Sequence, residues 1–155
     1  MKESKANQKC AEHLVKTFGP RCKYYKHCDK FTRGIPDSTF TWNRRTTWLE
    51  FKMLTGGGDI HGELDKIQLV NLIQLQSAGL AWVIAFRKAT RLLEERTDIY
   101  SPIALLVQGQ QVTPALPMGE LSTYPTVLRD LQVYGVASFK GLDYRAVAEL
   151  IRATH

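Results

Sequence analysis

No apolar run in the sequence approaches the roughly 18 to 20 residues that a helical membrane span requires, so a helical membrane protein is not expected. The first ten residues, MKESKANQKC, hold no apolar stretch of the kind that forms the centre of a secretory leader. Cysteine is scarce. Only three occur, an odd number between Cys10 and Cys28, which points to reduced thiols and a cytoplasmic setting rather than a disulfide framework. Internal repeats and low-complexity tracts are absent, and 23% charged residues is an ordinary globular proportion, so disorder is not expected either. A chain of 155 residues buries a substantial core, and one domain over residues 1–155 is expected.

Net negative charge is also lacking: the formal charge is +6. Its distribution is uneven. Residues 1–52 carry 12 Lys and Arg against 5 acids, whereas the remaining 103 residues carry 9 against 10. All of the excess therefore lies in the first third, which implies a polyanionic partner there or a merely solvated basic surface.

Residues 6–18 set Ala6, Cys10, Ala11, Leu14, Val15 and Phe18 at helical spacing, and Gly19-Pro20 is a stop signal. An aromatic and basic segment, residues 21–27, reads as a short strand. Residues 34–53 read as a β-hairpin turning at Asn43-Arg44-Arg45, with both arms rich in strand formers. A triple glycine, Gly56 to Gly58, precedes an apolar helix over residues 65–78, expected to be buried because its apolar residues surround it. Residues 81–87 read as a core strand, so strand, helix and strand imply a mixed α/β sheet. Farther on, residues 89–100 look helical, residues 103–108 look like a strand, and the segment with Pro114, Pro117 and Pro125 reads as an irregular connection. A last strand, VASFK, and an amphipathic helix, LDYRAVAELIRA, close the chain.

Side chains alternate across a strand, so Asp37, Thr39 and Thr41 share one face of the first hairpin arm, and Trp48, Glu50 and Lys52 share one face of the second. If those faces coincide, two carboxylates and a lysine converge. An acid, any residue and then lysine arises by chance about once in a chain of this length, and Glu3-Ser4-Lys5 is such a decoy. Glu50-Phe51-Lys52 differs in lying on a core strand, where charge is costly unless paired or bound to metal. Asp37, Glu50 and the backbone carbonyl of Phe51 form an oxygen set suited to Mg²⁺. A Glu50–Lys52 ion pair on an exposed sheet is the plainer alternative.

At these residues the sequence resembles the PD-(D/E)XK nuclease superfamily: GIPD lies before LEFK, with Asp37 thirteen residues ahead of Glu50. A basic strand before G-x-P-D, a Gly-rich turn after E-x-K, and Gln68 eleven residues before Gly79 are similar to the VRR-NUC and Holliday-junction-resolvase-like branch. The resemblance covers about residues 5–88. It implies a restriction-endonuclease-like αβββαβ core, α/β in class, with a mixed central sheet and C-terminal αβ additions. It also implies a metal-dependent endonuclease that hydrolyses phosphodiesters in branched DNA, with Mg²⁺ or Mn²⁺ as cofactor; cutting both strands of a junction symmetrically needs two active sites, so a homodimer is expected. By the same resemblance Asp37 and Glu50 are metal ligands, Lys52 the catalytic lysine and Gln68 a site residue. Gln68 equally fits a helix capping box with Asp65. The family often carries an acid on its first helix, for which Glu12, on the regular part of that helix, and Glu3, nearer the usual offset, are candidates.

Lys23, Tyr25, Lys26, Arg33, Arg44 and Arg45 are the expected nucleic-acid contacts, because cations neutralise phosphates and aromatics stack on unpaired bases. His61, beside the triple glycine, is either a loop residue entering the site or a surface histidine. Cys10, His13, Cys22, His27 and Cys28 hold metal-ligating groups, but their spacing fits no paired zinc pattern. A non-catalytic binding module on the same fold and a sequence-specific restriction-like enzyme remain the alternative functions.

Overall fold

The computed structural model describes residues 2–27, 34–107 and 113–154. Helix α1 (Glu3–Phe18) buries Ala6, Cys10 and Leu14 along one stripe and gives way at Gly19, with φ 75°, to a 3₁₀ turn begun by Pro20. Strands β1 (Lys23–Lys26), β2 (Ser38–Trp42) and β3 (Arg45–Thr55) follow, then α2 (Lys66–Ala78), β4 (Leu80–Lys88) and β5 (Arg96–Tyr100). Helix α3 (Tyr124–Tyr134), β6 (Val136–Lys140) and α4 (Tyr144–Thr154) complete the order. The expected αβββαβ order is thus the observed one, with β5, α3, β6 and α4 added after it.

The six strands form one mixed sheet in chain order, β1 to β6, with every neighbouring pair antiparallel except β3 and β4. That parallel pair needs a crossover, and α2 supplies it. One sheet face presents Phe40, Leu49, Phe51, Ile84, Phe86, Ile99 and Phe139 to the layer of α1, α3 and α4. The other face, with Leu54, Val83, Ala85 and Tyr100, packs beneath α2 through Leu72. Strand β3 therefore sends its odd residues into the larger core and its even residues toward α2.

The β2–β3 turn is tighter than expected. Asn43 and Arg44 are its two central residues, with φ of 53° and 63°, and Arg45 already pairs with Trp42. Two consecutive positive φ values mark a type I′ turn, whose twist matches that of the strands it joins.

Four expectations are corrected. Helix α2 is only half buried: Leu72 is enclosed, but Ile67 and Val70 are 40% and 45% exposed. Apolar residues ring this helix, yet only one of its sides meets the sheet. Residues 89–95 form no helix; they turn from β4 into its antiparallel partner β5, with the Thr90 hydroxyl accepting from the Leu92 and Leu93 N–H groups. Residues 103–106 of the expected strand lie instead in the 3₁₀ helix Pro102–Leu106, started by a proline at its first turn, and Val107 is its C-cap. The proline-bearing connection contains α3, because Pro125 sits in the helix's first turn, where its missing N–H leaves no bond unmade.

A buried polar network ties the middle of the sheet to the triple-glycine loop. Arg87 on β4, 4% exposed, donates Nε to Asp98 on β5 at 2.7 Å, Nη1 to the carbonyls of Gly56 and Gly58, and Nη2 to Tyr100. Asp98, wholly buried, also accepts from Arg96 and from Ser138 on β6. Four segments thereby share one compensated charge pair. Removing one partner strands the other charge in the interior, so Asp98→Ala is expected to lower unfolding stability by about 3–5 kcal/mol in urea denaturation, against less than about 1 kcal/mol for exposed Arg152→Ala.

Candidate functional site

The β2–β3 register runs Ser38 with Leu49 and Thr39 with Trp48, so its continuation sets Asp37 opposite Glu50 on one face. The two carboxylates take each other's neighbourhoods as partners. Glu50 Oε2 accepts from the Asp37 backbone N–H at 3.0 Å, and Asp37 Oδ2 accepts from the Phe51 N–H at 2.8 Å. Lys52, two residues on and hence on the same face, brings Nζ to 3.4 Å from Glu50 Oε1. Gln68 reaches the same oxygen from α2 at 3.4 Å. Gln68 also completes the capping box, its N–H donating to Asp65 and its side chain accepting from the Asp65 N–H, so one side chain serves the cap and contacts Glu50.

Two like charges with one lysine between them, 98% enclosed at Glu50, are undercompensated. Burial first, and the Asp37 charge second, push the Glu50 carboxyl up to about 7. Burial also raises Asp37, against the opposing pull of the Phe51 N–H, Lys52 and Lys26.

Of the two candidate helix acids, Glu3, from the Glu3-Ser4-Lys5 decoy, is the one that reaches the end of β3. Glu3 Oε2 accepts from the Met53 N–H at 3.2 Å, and burial, together with the nearby Asp37, holds its carboxyl above the usual range against that hydrogen bond. The expected candidate Glu12 is corrected. It lies nine residues farther along α1, half a revolution round and about 14 Å along the axis, exposed and bonded to Gln8. Reach to the end of β3, not position on the regular part of the helix, distinguishes Glu3 from Glu12.

Among the expected nucleic-acid contacts, Lys23 and Tyr25 are exposed neighbours, with the ammonium 5.4 Å from the ring centre, while Tyr24 turns inward to Ser38. Lys26 is exposed within electrostatic reach of Asp37. Arg44 and Arg45 are exposed at the hairpin turn, so five residues of strand put Arg45 about 17 Å from Glu50. Arg33 lies outside the described residues.

His61 does not enter the site: Nδ1 meets Asp59 and Nε2 the Leu105 carbonyl, tying its loop to Pro102–Leu106. Cys10 is sealed in the core, Cys28 lies outside the described residues, and among the described residues no three His, Cys, Asp or Glu side chains form a ready metal cluster.

His27, from the basic aromatic segment, and Trp48, on the face of Glu50, stack on each other beside Asp37. The His27 N–H donates to the Asp37 carbonyl at 2.7 Å, its Nε2 meets the Thr39 hydroxyl, and its ring stacks on Trp48 at 5.4 Å. The available signal was parity: with β1 paired to β2, residues 23, 25 and 27 fall on the face of Asp37.

No family model and no curated protein matches the chain. One solved structure does resemble it. That structure is Hjc of Archaeoglobus fulgidus, a Holliday junction resolvase from an archaeal hyperthermophile, 13% identical, with a TM-score of 0.47 over 65% of this chain and 78% of that one.

The raised Glu50 pKa has a stability consequence. The folded state holds this proton more tightly than the unfolded state, so Glu50 costs nothing below about pH 4.5, and its penalty grows as pH rises and is complete above about 7. Without added metal, Glu50→Gln is expected to stabilise the protein by about 3 kcal/mol at pH 8 and by little at pH 4.5. Urea denaturation at both pH values measures this; an equal effect at the two contradicts it.

Proposed function

We propose that the chain is a metal-dependent endonuclease that hydrolyses phosphodiester bonds in branched or otherwise structured DNA. The observation that carries this reading is the opposition of Asp37 and Glu50 across two antiparallel strands, with Lys52 on the same face. A plain ion pair accounts for Lys52 and Glu50 but not for a second, half-buried carboxylate beside them.

The donor set fits a hard divalent cation. Every candidate ligand is oxygen, and the negative charge exceeds what Lys52 offsets. Asp37, Glu50 and the Phe51 carbonyl would hold Mg²⁺; the Phe51 N–H already faces Asp37, and within a strand a residue's carbonyl points to the same neighbour as its N–H. Glu3 is a further acid within electrostatic reach of Asp37. Mg²⁺ bound there supplies charge neutralisation at the phosphodiester and lowers the pKa of a water it binds.

The chain's own groups do the rest. Lys52 can turn its ammonium from Glu50 to a non-bridging phosphate oxygen, stabilising the charge that develops there. Gln68, fixed by its capping box, holds Glu50 in place and leaves Lys52 free to move. Lys23 and Lys26 present exposed cations on β1 to the DNA backbone, so affinity should fall steeply with salt. Arg45 offers a second anchor at the far end of the hairpin.

Cleavage of a labelled four-way junction, a flap and linear duplex in Mg²⁺ tests the reading. The wild type is expected to cut branched substrates in preference, with Asp37→Asn and Lys52→Ala each slower by at least about a hundredfold. Salt-sensitive binding without cleavage would instead indicate a non-catalytic module. Paired cuts in a junction require two active sites, so a C₂ dimer is expected; light scattering that shows a monomer with and without DNA contradicts that part.

A further inference from the structure

Beside the two carboxylates lies a cavity of about 300 Å³, lined by Ile35, Pro36, Trp48, Asn71, Gln74 and Leu75. Each wall continues from a residue of the site. Pro36 directly precedes Asp37, Trp48 lies two residues before Glu50 on the same face, and Asn71 is one helical turn beyond Gln68. Two residues of strand separate Trp48 from Glu50, about 7 Å.

The lining contains no charged side chain, so the cavity is unsuited to a phosphate. It offers an indole, aliphatic walls, and the Gln74 amide, which can donate to and accept from a polar edge. A flat, neutral ring with hydrogen-bonding edges suits such walls, and the volume is at the small end for ligand pockets, enough for one ring system. The indole is held in place: His27 stacks on it at 5.4 Å and is itself bound to Thr39. The mouth is fixed too. Gly34 has φ +82°, and a Cβ there would lie 2.4 Å from Asn71 Nδ2, so only glycine lets this segment press so closely on α2. A second cavity of about 500 Å³ shares Trp48 and Leu75 and runs to Arg45 and Thr46 at the hairpin turn. The groove is therefore uncharged near the carboxylates and basic at its far end.

We propose that the smaller cavity receives one unpaired nucleobase of the DNA substrate, stacked on Trp48 while the adjoining phosphodiester lies at Asp37 and Glu50 and the strand continues toward Arg45. This deepens, and rests on, the endonuclease reading of the carboxylate site. It makes the site select DNA by a base free of its partner, which regular duplex supplies only at the cost of unpairing and unstacking.

Two measurements test this. In the first, branched DNA carrying a single abasic site at successive positions around the branch is titrated, in EDTA, into wild type, Trp48→Leu and Trp48→Ala. At one position, loss of the base should weaken wild-type binding about tenfold, while Trp48→Leu shows the same weakening on intact DNA and no further loss on the abasic substrate. In the second, 5-iodouracil at that position is photocrosslinked to wild-type protein and the attachment mapped by mass spectrometry, with Trp48 expected; this needs no variant to fold. The proposal is overturned by base-independent binding at every position, by equal losses on intact and abasic DNA in Trp48→Leu, or by crosslinks only outside the cavity. If the wild type cuts branched DNA in Mg²⁺ with any of those results, this inference alone fails. If it neither binds nor cuts branched DNA, the endonuclease reading fails with it.

Discussion

The site depends on one exchange: Asp37 and Glu50 each place a carboxylate oxygen on a backbone N–H of the other's strand. That exchange replaces the ladder bond β3 would otherwise seek at Phe51, where β2 has yet to begin, so the β2–β3 ladder ends there without an orphaned donor while β3 goes on pairing with β4. It also forces two like charges into register, with Glu50 almost wholly enclosed and Asp37 half-buried. Everything nearby answers to that constraint. Lys52 and Gln68 converge on the remaining oxygen of Glu50, and the Glu50 carboxyl is pushed up because these partners fall short of full compensation.

Asp98 shows what full compensation looks like in the same molecule. It is as enclosed as Glu50, yet Arg87, Arg96 and Ser138 all donate to it, and Arg87 carries its remaining donors to Tyr100 and two loop carbonyls. That network is closed and structural. The Asp37–Glu50 pair faces α2 from the same side of the sheet but has no comparable set of cations, so the two acidic centres differ by a deficit of positive charge. On the endonuclease reading proposed above, the shortfall at Glu50 is where an additional cation would lower the free energy.

Much of this was legible before the fold was known, and the reasons are local. Asp37, Glu50 and Lys52 fall together because strand side chains alternate and the Asn43-Arg44 turn is short enough to fix the register. The order of helices and strands through β4 followed from periodicity and from Gly-Pro and triple-glycine breaks. The last third resisted because its signals mislead. ATRLLEER has helical composition, but its neighbour Asp98 is claimed by Arg87 across the β4–β5 pair, a partnership that sequence spacing does not announce. Apolar residues 103–107 look like a strand and are not, since Pro102 starts a 3₁₀ turn. The choice between Glu3 and Glu12 was open for a different reason: it depends on where α1 begins relative to the end of β3, a tertiary distance with no sequence period.

Strand β3 joins the stability of the protein to its chemistry more tightly than any other element. Leu49 and Phe51 are fully enclosed in the larger core, whereas Trp48, Glu50 and Lys52 alternate with them onto the α2 side. A slip of one residue would exchange the two sets, driving Glu50 and Lys52 into the layer of Phe40 and Phe86 and turning Phe51 toward the open groove. The burial of those aromatics therefore specifies the register, and the register specifies that Glu50 meets Asp37 and that Trp48 stands beside them. The position of the carboxylates is set from the far side of the sheet by residues that never touch a substrate, which lets the site itself remain charged, undercompensated and open.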